Sequence, residues 1–196
     1  MNYKIRNDIV QGTEEWLILK RDKIRLTGTL AEYLLKHGKK ATLIEASKRQ
    51  QASLKYSGPV SKYAKWGCDN EPKARALLSK KLGVQFEETG IIESLEYEDC
   101  GVSLDGCTFK DENKTEIDLV CEIKCYQMKH HEKVLEDGPD QSVMCQMQWE
   151  MFITGARECY YTGYCPMYLD ESLTNDGKRH PEKVLYIKKI KASKDY

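Results

Sequence analysis

The segments that decide the fold of this chain are GVSLDG at residues 101–106 and IDLVCEIK at residues 117–124. The intervening DENK, residues 111–114, is typical of a turn, so the segments are predicted to be two short strands. Side chains alternate faces along a strand, so Glu122 and Lys124 project together. Burying these charges costs desolvation energy that a compensating group must offset. A divalent metal held by Asp105 and Glu122 compensates them best and predicts a metal-dependent nuclease.

The size and composition favour one domain, residues 1–196, with no second domain. No signal peptide or membrane-length apolar segment is visible. The eight cysteines are irregularly spaced, which favours reduced thiols in the cytoplasm, that of a bacterial host if a phage encodes the chain. A zinc or iron–sulfur site is the less favoured alternative, because no C-x-x-C pair occurs.

The net charge is zero, but the charges are unevenly distributed. Residues 1–84 contain 18 Lys and Arg against 8 Asp and Glu, whereas residues 85–122 contain 2 against 12. A basic half beside an acidic centre suits a metal-using phosphodiesterase, because one part binds phosphates and the other binds cations. Taken alone, such charge runs are better explained by solvated faces.

The periodicity of apolar residues predicts an α/β fold with a central mixed β-sheet flanked by helices. Thr13 is a plausible N-cap for a helix over residues 14–20, and an apolar stripe beginning at Leu30 ends at His37-Gly38. A helix over residues 61–82 contains Pro72, which implies a kink or a fresh start. The remaining predicted elements are helices 42–55 and 141–154, and strands 84–92, 101–105, 117–125, 158–164 and 184–187. His130 and His131 are predicted to be exposed in a charged loop.

Four short motifs follow one another along the chain: Trp66-Gly67-x-x-x-Glu71-Pro72, Ser103-x-Asp105-Gly106, Glu122-Ile123-Lys124 and Gln146-x-Gln148. Each is weak alone, but the four in this order on suitable elements are much more specific. At this point the sequence resembles the YqaJ and lambda-exonuclease family of viral recombination nucleases, which have the restriction-endonuclease-like PD-(D/E)xK core. The resemblance extends from QGTEEW at residues 11–16 to residue 164.

The resemblance implies a metal site. Asp105 and Glu122 would bind the metal directly, Ile123 would add its backbone carbonyl, and Glu71 would reach the metal through water. Mg²⁺ prefers hard oxygen ligands and keeps several waters, so it is the expected ion, with Mn²⁺ able to substitute. Two such ions about 4 Å apart stabilise both ends of a phosphodiester displacement.

The resemblance also implies catalytic roles beyond metal binding. Lys124 would lie against the nucleophilic water and favour its deprotonated form. Gln146 would help to orient that water. Gln148 is the less favoured glutamine, because residues two apart on a helix do not share a face. The implied catalytic set is Lys124, Glu122, Asp105, Glu71 and Gln146.

The resemblance implies a site for the 5′-phosphate of a DNA end, with two departures from the family. Lys20 stands where the family has an arginine, and lysine cannot make the bidentate contact that arginine makes with phosphate. Phosphate recognition is then expected either to fall to the neighbouring Arg21, with Arg25 nearby, or to be weaker than in relatives. Thr27 at a helix start and Ser103 complete the implied set. The second departure is Leu104, where a proline usually precedes the aspartate; the metal ligand itself is kept.

The expected function is Mg²⁺-dependent degradation of duplex DNA from an end, 5′ to 3′, leaving a single strand for phage-type recombination. The resemblance alone implies the polarity, a ring-shaped homotrimer and a single-strand annealing protein as partner; no membrane is involved. Two alternatives remain open: a structure- or site-specific endonuclease on the same core, and a non-catalytic DNA-binding module.

Overall fold

The computed structural model describes residues 2–24, 26–31, 48 and 61–193. Its seven strands form two sheets. An antiparallel sheet of order β1-β2-β3 contains Tyr3–Arg6, Ile91–Ser94 and Gly101–Ser103. A mixed sheet of order β4-β5-β6-β7 contains Gly106–Phe109, Ile117–Cys125, Glu158–Tyr164 and Leu185–Lys191. Strands β5 and β6 are parallel, while β4 and β7 pair antiparallel with them.

The named helices are α1 (Glu14–Asp22), α2 (Lys62–Leu82), α3 (Met128–Asp137) and α4 (Gln141–Thr154). Thr13, Ser61 and Asp140 cap the N-termini of α1, α2 and α4 by accepting hydrogen bonds from backbone amides. Helix α2 runs continuously through Pro72, so the predicted fresh start does not occur. Residues 28–31 are also helical.

Helices α2 and α4 cover opposite faces of the mixed sheet. Ala74 and Leu78 of α2 pack in one cluster with Cys121 and Ile123 of β5. Met147 and Met151 of α4 pack in another cluster with Val120 of β5 and Cys159 of β6. The alternation of strand side chains therefore divides β5 between two cores. This arrangement confirms the predicted α/β class with helices flanking the sheet.

Several predicted elements differ from the observed ones. The strand predicted over residues 84–92 begins at Ile91, and Glu87 forms only an isolated bridge with Cys107. The strand predicted over 101–105 ends at Ser103, and the chain passes through Asp105 into a separate sheet. Strand β1 was not predicted, and β7 extends to Lys191. The predicted helix 42–55 and most of the stripe beginning at Leu30 lie outside the described residues.

The prediction for His131 is wrong, whereas His130 is exposed as expected. Both residues belong to α3. The His131 side chain is completely buried, and its Nε2 lies 2.8 Å from the backbone oxygen of Lys183. Burial lowers the pKa of His131. The charged residues around the two histidines suggested a loop, but the segment is an amphipathic helix whose buried face includes His131. None of the helices in the described ranges is long and apolar enough to span a membrane.

Candidate active site

The site is built around the connection between β3 and β4. Leu104 is fully buried, and its backbone oxygen accepts a hydrogen bond of 2.9 Å from Gln11 Nε2. Gln11 also donates to the backbone oxygen of Thr89 at 3.0 Å. The next residue, Asp105, accepts a hydrogen bond of 2.7 Å from the Ile123 amide through Oδ2. The aspartate is thereby fixed against β5, one residue from Glu122.

Strand β5 supplies a paired acid and base. The Glu122 side chain is fully buried and forms an ion pair with Lys124 Nζ, while the Lys124 side chain is 34% exposed. Burial lowers the pKa of Lys124, but the neighbouring Glu122 and Asp105 outweigh this effect and raise it above its usual value. Lys124 is therefore a cation at neutral pH. The prediction that Glu122 and Lys124 project together agrees with this contact.

Helix α2 brings Glu71 to the site together with a residue that the sequence reasoning missed. Arg75 Nη2 lies 2.6 Å from Glu71 Oε1, and Nη1 lies 3.1 Å from Glu88 Oε2. Arg75 Nε also donates to the backbone oxygen of Asp105 at 2.5 Å. One guanidinium thus joins the helix acid to the connection that carries Asp105. The signal was available, because residues four apart share one face of a helix.

Helix α4 brings Gln146 to the site together with a second missed residue, Glu150. Gln146 Nε2 donates to Glu150 Oε1 at 3.1 Å. Glu150 is only 1% exposed, and it is near enough to Glu122 for the two carboxyl groups to interact electrostatically. Gln148 faces elsewhere, where it donates to the backbone oxygen of Lys191 and accepts from the Ser193 amide. The preference for Gln146 over Gln148 agrees with these contacts.

The electrostatics of these acids favour a cation. Burial, and then Glu122 and Glu71, raise the pKa of Asp105 well above its usual range. Burial and Glu122 likewise raise the pKa of Glu150, and burial raises that of Glu71 although Arg75 opposes it. Several carboxyl groups lie close together here, and a bound cation would reduce their mutual repulsion. Their oxygens are hard ligands, the type that Mg²⁺ and Mn²⁺ prefer.

Metal binding would require local rearrangement. Among the described residues, no three His, Cys, Asp or Glu side chains already form a cluster that could hold a metal ion. Lys124 and Arg75 instead pair with Glu122 and Glu71. Ile123 contacts Asp105 through its amide, so coordination by its carbonyl stays a prediction.

The residues predicted to bind a 5′-phosphate have different surroundings. Lys20 Nζ lies 4.1 Å from the centre of the Trp16 ring, and Trp16 Nε1 donates to Ser103 Oγ at 3.0 Å. Burial lowers the pKa of Lys20 to about 8. Arg21 pairs with the adjacent Asp22 at the surface, at 2.6 Å. The structure thus brings Lys20 and Ser103 together around Trp16.

The remaining two phosphate candidates are Thr27 and Arg25. Thr27 is buried and precedes the helical residues 28–31. This helix start touches the site, because a Cβ added to Gly28 would lie 2.8 Å from Gln146 Cγ. Arg25 lies outside the described residues.

The family model of the YqaJ-like viral recombinase domain matches residues 15–157. The chain belongs to this family. The match includes every site residue on α2, β5 and α4. A comparison with curated proteins found no match.

Two solved structures support the fold of this YqaJ-like chain. The alkaline exonuclease LHK-Exo from Laribacter hongkongensis has a TM-score of 0.68 and 22% identity, covering 92% of this chain and 83% of that one. A phage related exonuclease from Haemophilus somnus 129PT has a TM-score of 0.53 and 15% identity, covering 87% and 86%. The fold is therefore that of PD-(D/E)xK alkaline exonucleases. The chain is therefore a member of the YqaJ-like viral recombinase family that shares the fold of these two exonucleases.

Proposed function

We propose that this chain is an Mg²⁺-dependent exonuclease that degrades duplex DNA from an end, 5′ to 3′, leaving a single strand for recombination. The observation that carries the proposal is the fully buried Glu122, which lies beside Asp105 and pairs with Lys124. Such a group of charges costs stability in a metal-free core. The same group is well suited to bind a divalent cation next to a phosphodiester.

The proposed metal ligands are Asp105 and Glu122, with Glu71 reaching the ion through water and Ile123 contributing its carbonyl. Mg²⁺ bound there would neutralise phosphate charge and make water at the site more acidic. Arg75 holds Glu71 and the backbone of Asp105 in one network. It thereby keeps the helix acid within reach of the two strand acids.

The proposed roles of Lys124 and Gln146 follow from their charges. Lys124 is cationic at neutral pH, so it does not take a proton from water. It stabilises the negative charge that develops on the attacking oxygen and on the phosphate. Gln146 is neutral and has both donor and acceptor groups, so it suits the orientation of a water molecule. Neither role requires either residue to exchange a proton.

The proposed end-binding site combines Lys20 with Ser103 and Thr27. Lys20 is a single point of charge over Trp16, and phosphate binding would raise its pKa from about 8. Arg21 supplies a second cation if it leaves Asp22. We expect a preference for 5′-phosphorylated over 5′-hydroxyl ends, and Lys20→Ala should reduce this preference about tenfold.

One experiment tests the nuclease and its mode. Linear duplex with a 5′-phosphate, the same duplex with 5′-hydroxyls and covalently closed duplex are incubated with protein in Mg²⁺ or in chelator. We expect Mg²⁺-dependent loss of the linear substrates, fastest with the 5′-phosphate, with label at the 5′ end released first. Asp105→Asn is the matched inactive control. Rapid loss of closed circles would instead establish an endonuclease, and binding without cleavage would leave a DNA-binding module.

Two further parts of the proposal concern assembly. We propose a homotrimeric ring around DNA and a single-strand annealing protein as the partner that takes the product strand; the family resemblance supports both. A ring would keep a protein of zero net charge on its substrate by encirclement. Light scattering coupled to size exclusion measures the mass, and a mass equal to one chain at working concentration would contradict the ring.

A further inference from the structure

Glu150 is a buried acid for which the proposed metal chemistry gives no role. It lies on α4 one turn after Gln146 and is 1% exposed. One carboxyl oxygen, Oε1, accepts the 3.1 Å hydrogen bond from Gln146. The other oxygen, Oε2, is buried and meets no hydrogen-bond donor in the described part of the chain. The carboxyl group is near enough to Glu122 to interact with it electrostatically.

This placement costs stability. Glu150 forms no ion pair with a cation among the described residues, and its neighbours on α4 include the buried Met147 and Met151. A leucine at this position would fill the space without desolvating a carboxyl group. A buried acid next to Glu122 is therefore not explained by packing, and acids retained at such a cost are frequent at functional sites.

The geometry also fixes the orientation of Gln146. A carboxyl oxygen that accepts a hydrogen bond from Gln146 must face its NH₂ group, so the amide oxygen of Gln146 is turned away from Glu150. On another side, Gly28 lies against the Gln146 side chain, since a Cβ added to Gly28 would be 2.8 Å from Gln146 Cγ. Gln146 is thus confined by Gly28 and oriented by Glu150.

We propose that Glu150 is a positioning residue for strand cleavage, which holds the NH₂ group of Gln146 so that its amide oxygen faces the attacking water. This inference deepens the proposed nuclease function and rests on it. Glu150 needs only an acceptor toward Gln146. It is not itself a metal ligand.

The test uses two replacements of similar volume and one control on the same helix. Glu150→Gln keeps an acceptor for Gln146 and a polar group toward Glu122. Glu150→Leu fills the space but keeps neither. Gln148→Leu is the matched control, because Gln148 is also a buried polar residue of α4 but binds the backbone at Lys191 and Ser193.

Three quantities are measured on each full-length variant: kcat and KM on 5′-phosphorylated linear duplex, Mn²⁺ affinity by calorimetry, and melting temperature in chelator. We expect Glu150→Leu to lower kcat at least about tenfold with KM and Mn²⁺ affinity within about threefold, and to melt no lower than the parent. Glu150→Gln should retain kcat within about threefold. Gln148→Leu should lower the melting temperature and leave kcat of the folded protein unchanged.

Two results would overturn the inference. If Glu150→Leu keeps its kcat within threefold, no positioning role exists. If Glu150→Gln loses kcat and Mn²⁺ affinity as severely as Glu150→Leu, the charge of Glu150 matters and it acts as a ligand.

A spectroscopic measurement separates this inference from the nuclease proposal. The side-chain NH₂ signals of Gln146, assigned by their loss in Gln146→Ala, should be shifted and protected from exchange in the parent and in Glu150→Gln. They should resemble those of a free amide in Glu150→Leu. An inactive parent protein with this pattern would refute the nuclease function but retain the coupling. Unchanged signals in Glu150→Leu would refute the coupling whatever the activity.

Discussion

The two faces of β5 support the site in opposite ways. On the α2 face, the helix acid Glu71 is followed one turn later by Arg75, which neutralises it and also binds the Asp105 backbone. On the α4 face, the neutral Gln146 is followed one turn later by Glu150, which adds a buried acid beside Glu122. The same four-residue spacing therefore gives an acid neutralised by a cation on the α2 side, and an acid that only a neutral glutamine contacts on the α4 side.

The difference indicates that the residues on the α2 face stabilise the fold, whereas Glu150 on the α4 face destabilises it in return for a role in function. Arg75 is a half-buried cation with three acceptors, so removing it leaves acids without their partner. Glu150 has no neutralising partner among the described residues, so removing it relieves repulsion. We expect variants on the α2 face to lose stability and activity together, and variants on the α4 face to separate the two quantities.

The largest expected effect is at Lys124, the cation that pairs with Glu122. Lys124→Ala should lower the cleavage rate about 10³-fold, because charge developing at the attacking oxygen loses its nearest cation. Binding of DNA and of Mn²⁺ should persist, because Glu122 and Asp105 remain. Single-turnover cleavage and calorimetry measure the two quantities. Retention of full activity by Lys124→Ala would remove its assigned role, and Asp105→Ala is the contrasting variant that should lose metal binding as well.

The second prediction concerns Arg75. Arg75→Ala should cost about 1–2 kcal/mol of stability, because the half-buried Glu71 loses its partner. Activity should fall at least tenfold, because Glu71 and the Asp105 connection lose their common support. Denaturant unfolding and cleavage assays measure both. Arg75→Lys keeps the charge without the planar guanidinium, so it should recover part of the stability and less of the activity. An Arg75→Ala variant with normal stability would contradict the claim that Arg75 stabilises the fold by neutralising Glu71.

The central motif residues were predictable from sequence, because their chemistry is local. Asp105, Glu122 and Lys124 lie on or beside strands, where alternation alone tells which side chains share a face. Strand 158–164 and helix 141–154 were also predicted with their observed bounds. The family match covers this whole region.

The supporting residues were not predictable in the same way, because their roles depend on tertiary contacts. Arg75 and Glu150 stand one turn from predicted site residues, but helical spacing does not tell that Arg75 meets the Asp105 backbone or that Glu150 is buried against Glu122. The break after Ser103 also escaped prediction, since the apolar pattern continues through Leu104.

The third prediction concerns stability and pH without metal. Burial and like charge raise the pKa of Asp105 and Glu150. The folded protein therefore holds protons that the unfolded chain releases above about pH 4. Stability from this source is present at low pH and is lost as the pH rises through the raised values. Melting temperatures in chelator should accordingly fall by several degrees between pH 5 and pH 8, and Mg²⁺ should restore them most at the higher pH.

Glu150→Leu distinguishes the two faces in this measurement. The variant should show a shallower fall with pH, since one of the acids with a raised pKa is gone. A fall as steep as that of the parent would indicate that Asp105 and Glu71 carry the effect. Asp8 and Asp140, whose pKa values are lowered, act below this pH range. His131, whose pKa is lowered, and His180, whose pKa is raised, titrate within it, but they do so in both proteins, so the difference between the two slopes reports on Glu150.

The smallest expected effect is at Gly28, which lies against α4, and Gly67 on α2 serves as its control. A Cβ at Gly28 would lie 2.8 Å from Gln146 Cγ, so Gly28→Ala must displace the side chain that Glu150 orients. We expect about a fivefold loss of kcat and a stability cost of about 1 kcal/mol. Gly67→Ala on α2 is the matched control, because an added Cβ there meets nothing within 4 Å. It should stabilise the helix by about 0.5–1 kcal/mol and leave kcat unchanged. Equal kcat for the two variants would show that Gln146 tolerates displacement, and the α4 face would then lack the close fit on which its role depends.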